Sequence, residues 1–211
     1  MPQPFRTFSG VAAPMLENDI NTDQMAPVQT SRNLNPDHAA LFFSRRRYTA
    51  DGKEDPGFVL NRPRFRGGGI LVAGNNFGCG SSREGAVWAM AAFGFRCVVA
   101  RSFADIFREN CLKNGVLTVT LPDDSAAAFE ALAVKTDGAA PFTADLENQR
   151  IVAPDGTAFA FEIGPSERIA LIEGLDDIGM TLKHLDDIRA WEGRTAGARP
   201  WLQQAADRRQ A

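Results

Sequence analysis

Between Gly69 and Leu121, three short apolar runs alternate with two segments of helical character. The runs are Gly69–Ala73, Arg96–Ala100 and Val116–Leu121. A strand, a helix and another strand make a crossover unit, which lays neighbouring strands parallel. This alternation confines the centre of the chain to an α/β layer. The first helix is expected to open at Ser81-Ser82-Arg83-Glu84 and run to Phe93, ended by Gly94. The second is expected to be capped by Ser102, to run to Lys113 and to close at Asn114-Gly115.

The flanks carry weaker patterns. A short strand is expected over Thr7–Ala12, then turns over Glu17–Thr22, then a long loop with one helical turn near Asp37–Phe43. The run Arg45-Arg46-Arg47 reads as a solvated face. After the centre, Asp123–Val134 reads as a helix. Pro154-Asp-Gly156 joins Arg150–Ala153 to Thr157–Ile163 as a β-hairpin. Ser166–Glu173 and Met180–Trp191 read as helices, and residues 193–211, with Gly193, Gly197 and Pro200, as a loosely held tail. Against a scale of roughly 150 residues per domain, the 211 residues suit one domain over 1–192 followed by that tail.

Composition excludes several classes. A net charge of −3 lacks the basic excess that nucleic-acid binding requires. Apolar runs fall far short of the roughly 18–20 residues of a membrane span, and no apolar leader precedes Gly10, so a cytoplasmic protein is expected. Three cysteines and two histidines, with no Cys-x-x-Cys, are a poor supply for a metal or iron–sulfur site that wants about four ligands. Any metal is therefore expected to arrive on a partner.

The densest chemistry lies in Gly78-Cys-Gly-Ser-Ser-Arg-Glu84, a glycine-rich turn leading from a strand into a helix. Free amides at a helix N-terminus attract carboxylates or phosphates. Two serine hydroxyls and a guanidinium add donors that grip a carboxylate. Ser81-x-x-Glu84 also satisfies the pattern of a capping box, which by itself needs only one of those serines and neither Arg83 nor the glycines. The phosphate-loop pattern ending in Gly-Lys-Ser/Thr is absent. Cys79, beside the expected helix terminus, is a candidate nucleophile by position, but no histidine is near it in sequence to serve it as a base. His38 reads as a loop residue, His184 as a surface or half-buried helix residue, Cys97 and Cys111 as core, and Trp88 as a packing residue.

These residues carry a resemblance. Asn75-Asn-Phe-Gly-Cys-Gly-Ser-Ser-Arg-Glu84, Ser102-Phe-Ala-Asp-Ile-Phe107 and Asn110-Cys-Leu-Lys-Asn-Gly115 resemble the small subunits of 3-isopropylmalate dehydratases, members of the aconitase family. Asn21-Thr-Asp23, Phe58-Val-Leu-Asn61 and Gly174-Leu-Asp-Asp-Ile-Gly-Met-Thr-Leu182 extend the similarity over roughly residues 5–192. The resemblance implies an α/β fold, a single swivelling-type β/β/α domain with a mixed sheet and a long N-terminal substrate loop. It implies a large subunit of 3-isopropylmalate dehydratase as partner, which carries a 4Fe–4S cluster, and a small dicarboxylate as substrate. Ser81 then matches the family's serine base, and Asp23 an aspartate of the assembled active site. Ser82 and Arg83 match residues that hold a substrate carboxylate. Arg32 stands near where the wider family has a substrate-binding arginine.

Two departures stand out. The family usually continues Ser-Ser-Arg-Glu with His-Ala-Pro-Trp, whereas this chain has Gly85-Ala-Val-Trp88. A glycine inside a first helical turn costs roughly 0.5–1 kcal/mol relative to alanine. Pro27-Val28 also replaces the usual Pro-Lys. Two alternatives stay open beside isomerisation of isopropylmalate in leucine biosynthesis. One is a related hydro-lyase for a dimethylmalate or citraconate type of diacid, and the other is an anion-binding module without chemistry.

Overall fold

The computed structural model describes residues 2–27, 36–199 and 201. In chain order it begins with strands β1 (Thr7–Gly10) and β2 (Ala12–Met15), then the single-turn helices α1 (Thr22–Met25), α2 (His38–Leu41) and α3 (Ser44–Arg47). The central alternation follows as β3 (Gly69–Ala73), α4 (Gly85–Phe93), β4 (Phe95–Ala100), α5 (Asp105–Lys113) and β5 (Leu117–Thr120). Next come α6 (Asp123–Thr136), β6 (Phe142–Asp145), β7 (Arg150–Val152) and β8 (Ala158–Ala160). Helices α7 (Pro165–Glu173), α8 (Asp177–Leu182) and α9 (Leu185–Ala198) complete the described chain.

The expected parallel and antiparallel pairings are both present, but in two sheets where one mixed sheet was expected. β2, β3, β4 and β5 form a parallel sheet in sequence order, and β1, β6, β7 and β8 an antiparallel one. The expected Thr7–Ala12 strand divides at Val11, because the chain leaves the antiparallel sheet there and enters the parallel one. Alternation along the parallel strands then assigns two cores. Leu71, Ala73, Val98 and Ala100 pack with Val87 and Met90 of α4 and with Phe107 and Cys111 of α5. Ile70, Val72, Cys97 and Val99 pack with Phe142, Ala144, Ile151 and Phe159 of the antiparallel layer and Phe129 of α6. Burial on both faces explains why β3 is apolar at every position. Crossovers of one hand between sequential strands place α4 and α5 together on one face.

The stretch expected as a long loop is a folded lobe. Asn61 is buried and holds it together. Its Nδ2 donates to the carbonyls of Arg47 (2.6 Å) and Asp55 (2.8 Å), and its Oδ1 accepts from Arg47 Nε at 3.1 Å. Arg47 also donates to the Ala39 carbonyl at 3.2 Å, tying down α2, and its guanidinium lies 4.8 Å from the Phe93 ring centre. The reading of Arg45–Arg47 as a solvated face therefore fails for two of its members. Arg47 is buried, and Arg46 pairs with Glu17 at 2.6 Å while covering the Phe58 ring. Aromatic faces and carbonyls accept a guanidinium that charge counting assigns to water.

At the C-terminus, the single helix expected over Met180–Trp191 is two. Asp176 accepts from the Gly179 amide at 2.7 Å and starts α8 early, and α9 begins after His184. α9 then runs past Gly193 to Ala198, into residues expected to be loosely held.

The substitution Asn61→Ala removes three hydrogen bonds around a buried cation. It is expected to cost about 2–3 kcal/mol and to lower the melting temperature by roughly 5–10 °C, read by scanning calorimetry. An unchanged midpoint would show that the lobe does not contribute to global stability.

Candidate active site

Three loops meet beyond the C-terminal ends of β2, β3 and β4 and keep the strand order of the sheet. The Asp19 amide donates to the Asn75 carbonyl (2.9 Å), Gly78 to Ile20 (2.8 Å) and Thr22 to Cys79 (2.9 Å). On the other flank, Phe77 donates to the Ser102 carbonyl and Ala104 to the Phe77 carbonyl, both at 3.0 Å. Ser102 Oγ accepts from the Asn76 amide at 2.8 Å. Gly78 permits this close fit: its φ is +79°, and a Cβ would lie 2.1 Å from the Phe107 ring.

The same ladder changes what the serines do. Ser81 donates its amide to Thr22 Oγ1 at 2.9 Å, and Asn110 Nδ2 donates to the Ser82 carbonyl at 3.2 Å. Held on both sides, residues 81–83 stay irregular, and α4 begins only at Gly85. The expected capping box is consequently absent. Ser81 Oγ accepts from the Arg83 amide at 3.3 Å, and Glu84 accepts from Asn114 Nδ2 at 3.3 Å. Ser102 likewise does not cap α5, whose cap residue is Ala104, because its hydroxyl and carbonyl are engaged by Asn76 and Phe77.

Arg83 extends to Asp23, with Nη2 to Oδ1 at 3.1 Å, and both side chains are more than half exposed, at 61% and 62%. An exposed pair of this kind is worth about 1 kcal/mol or less, so separating Asp23 from the guanidinium costs little. Ser81, Ser82, Arg83 and Asp23 come together on one cleft of about 780 Å³. Thr22, Glu84, Gly85 and the apolar Ala26, Pro27, Pro36, Leu41 and Ala86 complete most of its wall. Arg32 lies outside the described residues.

The sequence of the cleft lining leads directly to its relatives. Residues 2–124 match the family model described as the aconitase C-terminal domain. Residues 131–165 match the one described as LeuD_N, and 177–205 the one for the C-terminal domain of the 3-isopropylmalate dehydratase small subunit. A 3-isopropylmalate dehydratase small subunit from Ruegeria sp. (strain TM1040) is 46% identical over 94% of this chain and 98% of its own. The chain belongs to the 3-isopropylmalate dehydratase small-subunit family. A member from Paramagnetospirillum magneticum is also 46% identical, and one from Methylibium petroleiphilum is 42% identical over 95% of this chain and 97% of its own. The fold matches a crystal structure of 3-isopropylmalate dehydratase from Methanocaldococcus jannaschii. The TM-score is 0.60 and the identity 24%, over 88% of this chain and 99% of that one. The Thr22-Asp23 and Ser81–Arg83 segments, which fifty-odd residues of sequence separate, are joined by the loop ladder.

Two cleft residues were set aside by sequence reasoning. His38 begins α2 and Trp88 lies on α4, and their rings meet edge-on with centres 5.7 Å apart. Both line the cleft. Trp88, expected to pack, is 46% exposed and donates Nε1 to Asn114 Oδ1 at 3.2 Å. His38 Nδ1 is buried without a hydrogen-bond partner among the described residues. No local pattern signals either residue, since α2 and α4 meet only through the folding of the 37–66 lobe. His184 is exposed, as a surface position requires.

Among the described residues, no three His, Cys, Asp or Glu side chains converge to hold a metal ion. No described helix is long and apolar enough to cross a membrane. Burial pushes the Cys97 and Cys111 thiols well above their ordinary range, as core positions demand, while Cys79 is partly exposed.

In the unfolded chain those two thiols ionise near pH ~8.5. Above that pH the folded state holds more protons than the unfolded one, so stability falls as pH rises, by about 1.4 kcal/mol per pH unit for each thiol. Melting temperature measured between about pH 8.5 and 10.5 is expected to fall less steeply in a Cys97→Ala/Cys111→Ala double variant than in the unaltered chain. Ellman's reagent should titrate Cys79 alone before unfolding.

Proposed function

We propose that this chain is the small subunit of a 3-isopropylmalate dehydratase, interconverting 2- and 3-isopropylmalate by dehydration and rehydration in leucine biosynthesis. It works in the cytoplasm with a large subunit that carries a 4Fe–4S cluster. The observation that carries this reading is the convergence of Ser81, Ser82, Arg83 and Asp23 on one cleft. The chemistry expected of each follows from its surroundings.

Ser81 Oγ is the base. A serine hydroxyl is a poor base near neutral pH, and what it needs is stabilisation of its charged form. The Arg83 amide already points at this oxygen, and the Arg83 guanidinium lies on the same cleft. A fixed amide donor and a nearby cation both favour the ionised oxygen. Ser81 Oγ takes the proton from the carbon beside a substrate carboxylate. The electron pair left behind becomes the carbon–carbon double bond as hydroxide departs. The reverse sequence at the neighbouring carbon yields the isomer.

Arg83 holds a substrate carboxylate after exchanging it for Asp23, with Ser82 as a further donor. Asp23, once released, remains beside the reacting groups as part of the assembled site. The apolar wall formed by Ala26, Pro27, Leu41 and Ala86 suits a branched alkyl group.

The test is anaerobic reconstitution with the large subunit, followed by hydration of isopropylmaleate. Ser81→Ala is expected to lower kcat by about 10²–10⁴-fold while the two subunits still co-purify. Arg83→Lys is expected to raise KM by roughly 10–100-fold. An unchanged rate in an assembled Ser81→Ala complex removes Ser81 from its role.

A further inference from the structure

Two acceptors compete for one donor, the amide of Ser81. In the capping box that Ser81-x-x-Glu84 spells, the Glu84 carboxylate would take that amide, and the Ser81 hydroxyl would take the amide of Glu84. A backbone amide carries a single hydrogen, and here Thr22 Oγ1 holds it at 2.9 Å. The Glu84 carboxylate is engaged instead by Asn114 Nδ2 at 3.3 Å, and the Ser81 hydroxyl accepts from the Arg83 amide at 3.3 Å. The chain does close such a box on the neighbouring segment. Asn21 Oδ1 accepts from the Gln24 amide at 2.8 Å, and Gln24 Oε1 accepts from the Asn21 amide at 3.1 Å. That box fixes α1, of which Thr22 is the first residue, and Thr22 is itself buried with its amide bonded to the Cys79 carbonyl. Gly80 lets the loop cross the threonine closely, since its φ is +106° and a Cβ built on it would lie 3.3 Å from Thr22 Oγ1.

We infer that Thr22 is a positioning residue for Ser81, its hydroxyl oxygen withholding the Ser81 amide from Glu84 and so keeping the Ser81 hydroxyl out of a capping box. The inference rests on the dehydratase reading, in which Ser81 Oγ is the base, and deepens it by naming the residue through which that base is held. Thr22 acts through the backbone of Ser81 and takes no part in the proton transfer itself. Were the box to close, the Ser81 oxygen would turn to the Glu84 amide. Residues 82 and 83 would wind into the first turn of α4, and the Arg83 guanidinium would leave its place opposite Asp23.

The test is a double-mutant cycle in the reconstituted complex, read as kcat on isopropylmaleate. Thr22→Val keeps the shape of the side chain and removes its oxygen, while Glu84→Met removes the carboxylate that the box needs. Thr22→Val is expected to lower kcat at least about tenfold, and Thr22→Ser, which keeps the oxygen, by less than about threefold. Beside Glu84→Met, the loss caused by Thr22→Val is expected to shrink by at least about threefold. Glu84→Gln can still close the box and is expected to give no such relief. In the full chain alone, the Cα chemical shifts of Ser82 and Arg83 are expected to move to helical values in Thr22→Val and to stay in place in Thr22→Ser. An equal loss from Thr22→Val in all three backgrounds, or shifts that do not move, would show that Thr22 only supports the fold. Either result overturns the inference and leaves the dehydratase reading in place while the unaltered complex is active. Inactivity of the unaltered complex on isopropylmaleate overturns that reading and the inference with it.

Discussion

The geometry of the cleft depends on one latch, the hydrogen bond from the Ser81 amide to Thr22 Oγ1. Thr22 is nearly fully buried, and its own amide is bonded to Cys79, so the threonine clamps the glycine-rich loop from both sides of Gly80. Without this clamp the sequence Ser-Ser-Arg-Glu has an easier course, which is to begin the helix at Ser81 and close a capping box. The latch and the Asn110 bond to Ser82 hold residues 81–83 out of the helix. The Ser81 hydroxyl consequently meets the Arg83 amide, and the Arg83 side chain faces Asp23 on the neighbouring loop. The parallel sheet makes this possible, because sequential strand order brings the loops after β2, β3 and β4 side by side.

The energies are graded to suit binding. The latch and the loop ladder engage backbone amides in partly buried surroundings, where leaving a donor unpaired costs about 1–3 kcal/mol. The Arg83–Asp23 pair is solvent-exposed and worth about 1 kcal/mol or less. The frame therefore stays fixed while its charged contact is exchanged. A guanidinium parked on an internal carboxylate is kept in position and is released from it at little cost.

The central strands and helices were legible in the sequence because each is set by local pattern. Gly69–Ala73 matched its expected bounds, and the two crossover helices ended where Gly94 and Asn114-Gly115 stop them. The beginnings of those helices were not legible, since Ser81 and Ser102 are drawn into bonds with residues distant in sequence. β6 escaped notice because Phe142–Asp145 is four residues long and its partners are β1 and β7, one of them far away along the chain. The glycine loop stood out in the sequence as a dense cluster of polar residues, and the family motifs picked out Asp23, which lines the same cleft. His38 and Trp88 could not be paired from sequence, because the contact between them is a product of the lobe.

That lobe gives the cleft a second, independent support. α2 carries His38 and Leu41 to the wall, and it is held by Arg47, which grips the Ala39 carbonyl and is in turn oriented by Asn61. None of these bonds involves Thr22, Cys79, Asn110 or Ser81. The loop that positions the serine and the lobe that shapes the wall are thus fastened by largely different hydrogen bonds, and are joined by the packing of α2 on α4, by the Phe43 amide's bond to the Met25 carbonyl at 2.7 Å and by the Arg46–Glu17 pair. On the dehydratase reading proposed above, substitutions at the α2 wall reshape the space offered to a substrate's side chain while leaving the bond from Ser81 to Thr22 in place. On the proposed reading, a scaffold built this way changes the diacid it accepts at the wall of the cleft, while the bonds that place the Ser81 hydroxyl lie on the Thr22 side of it.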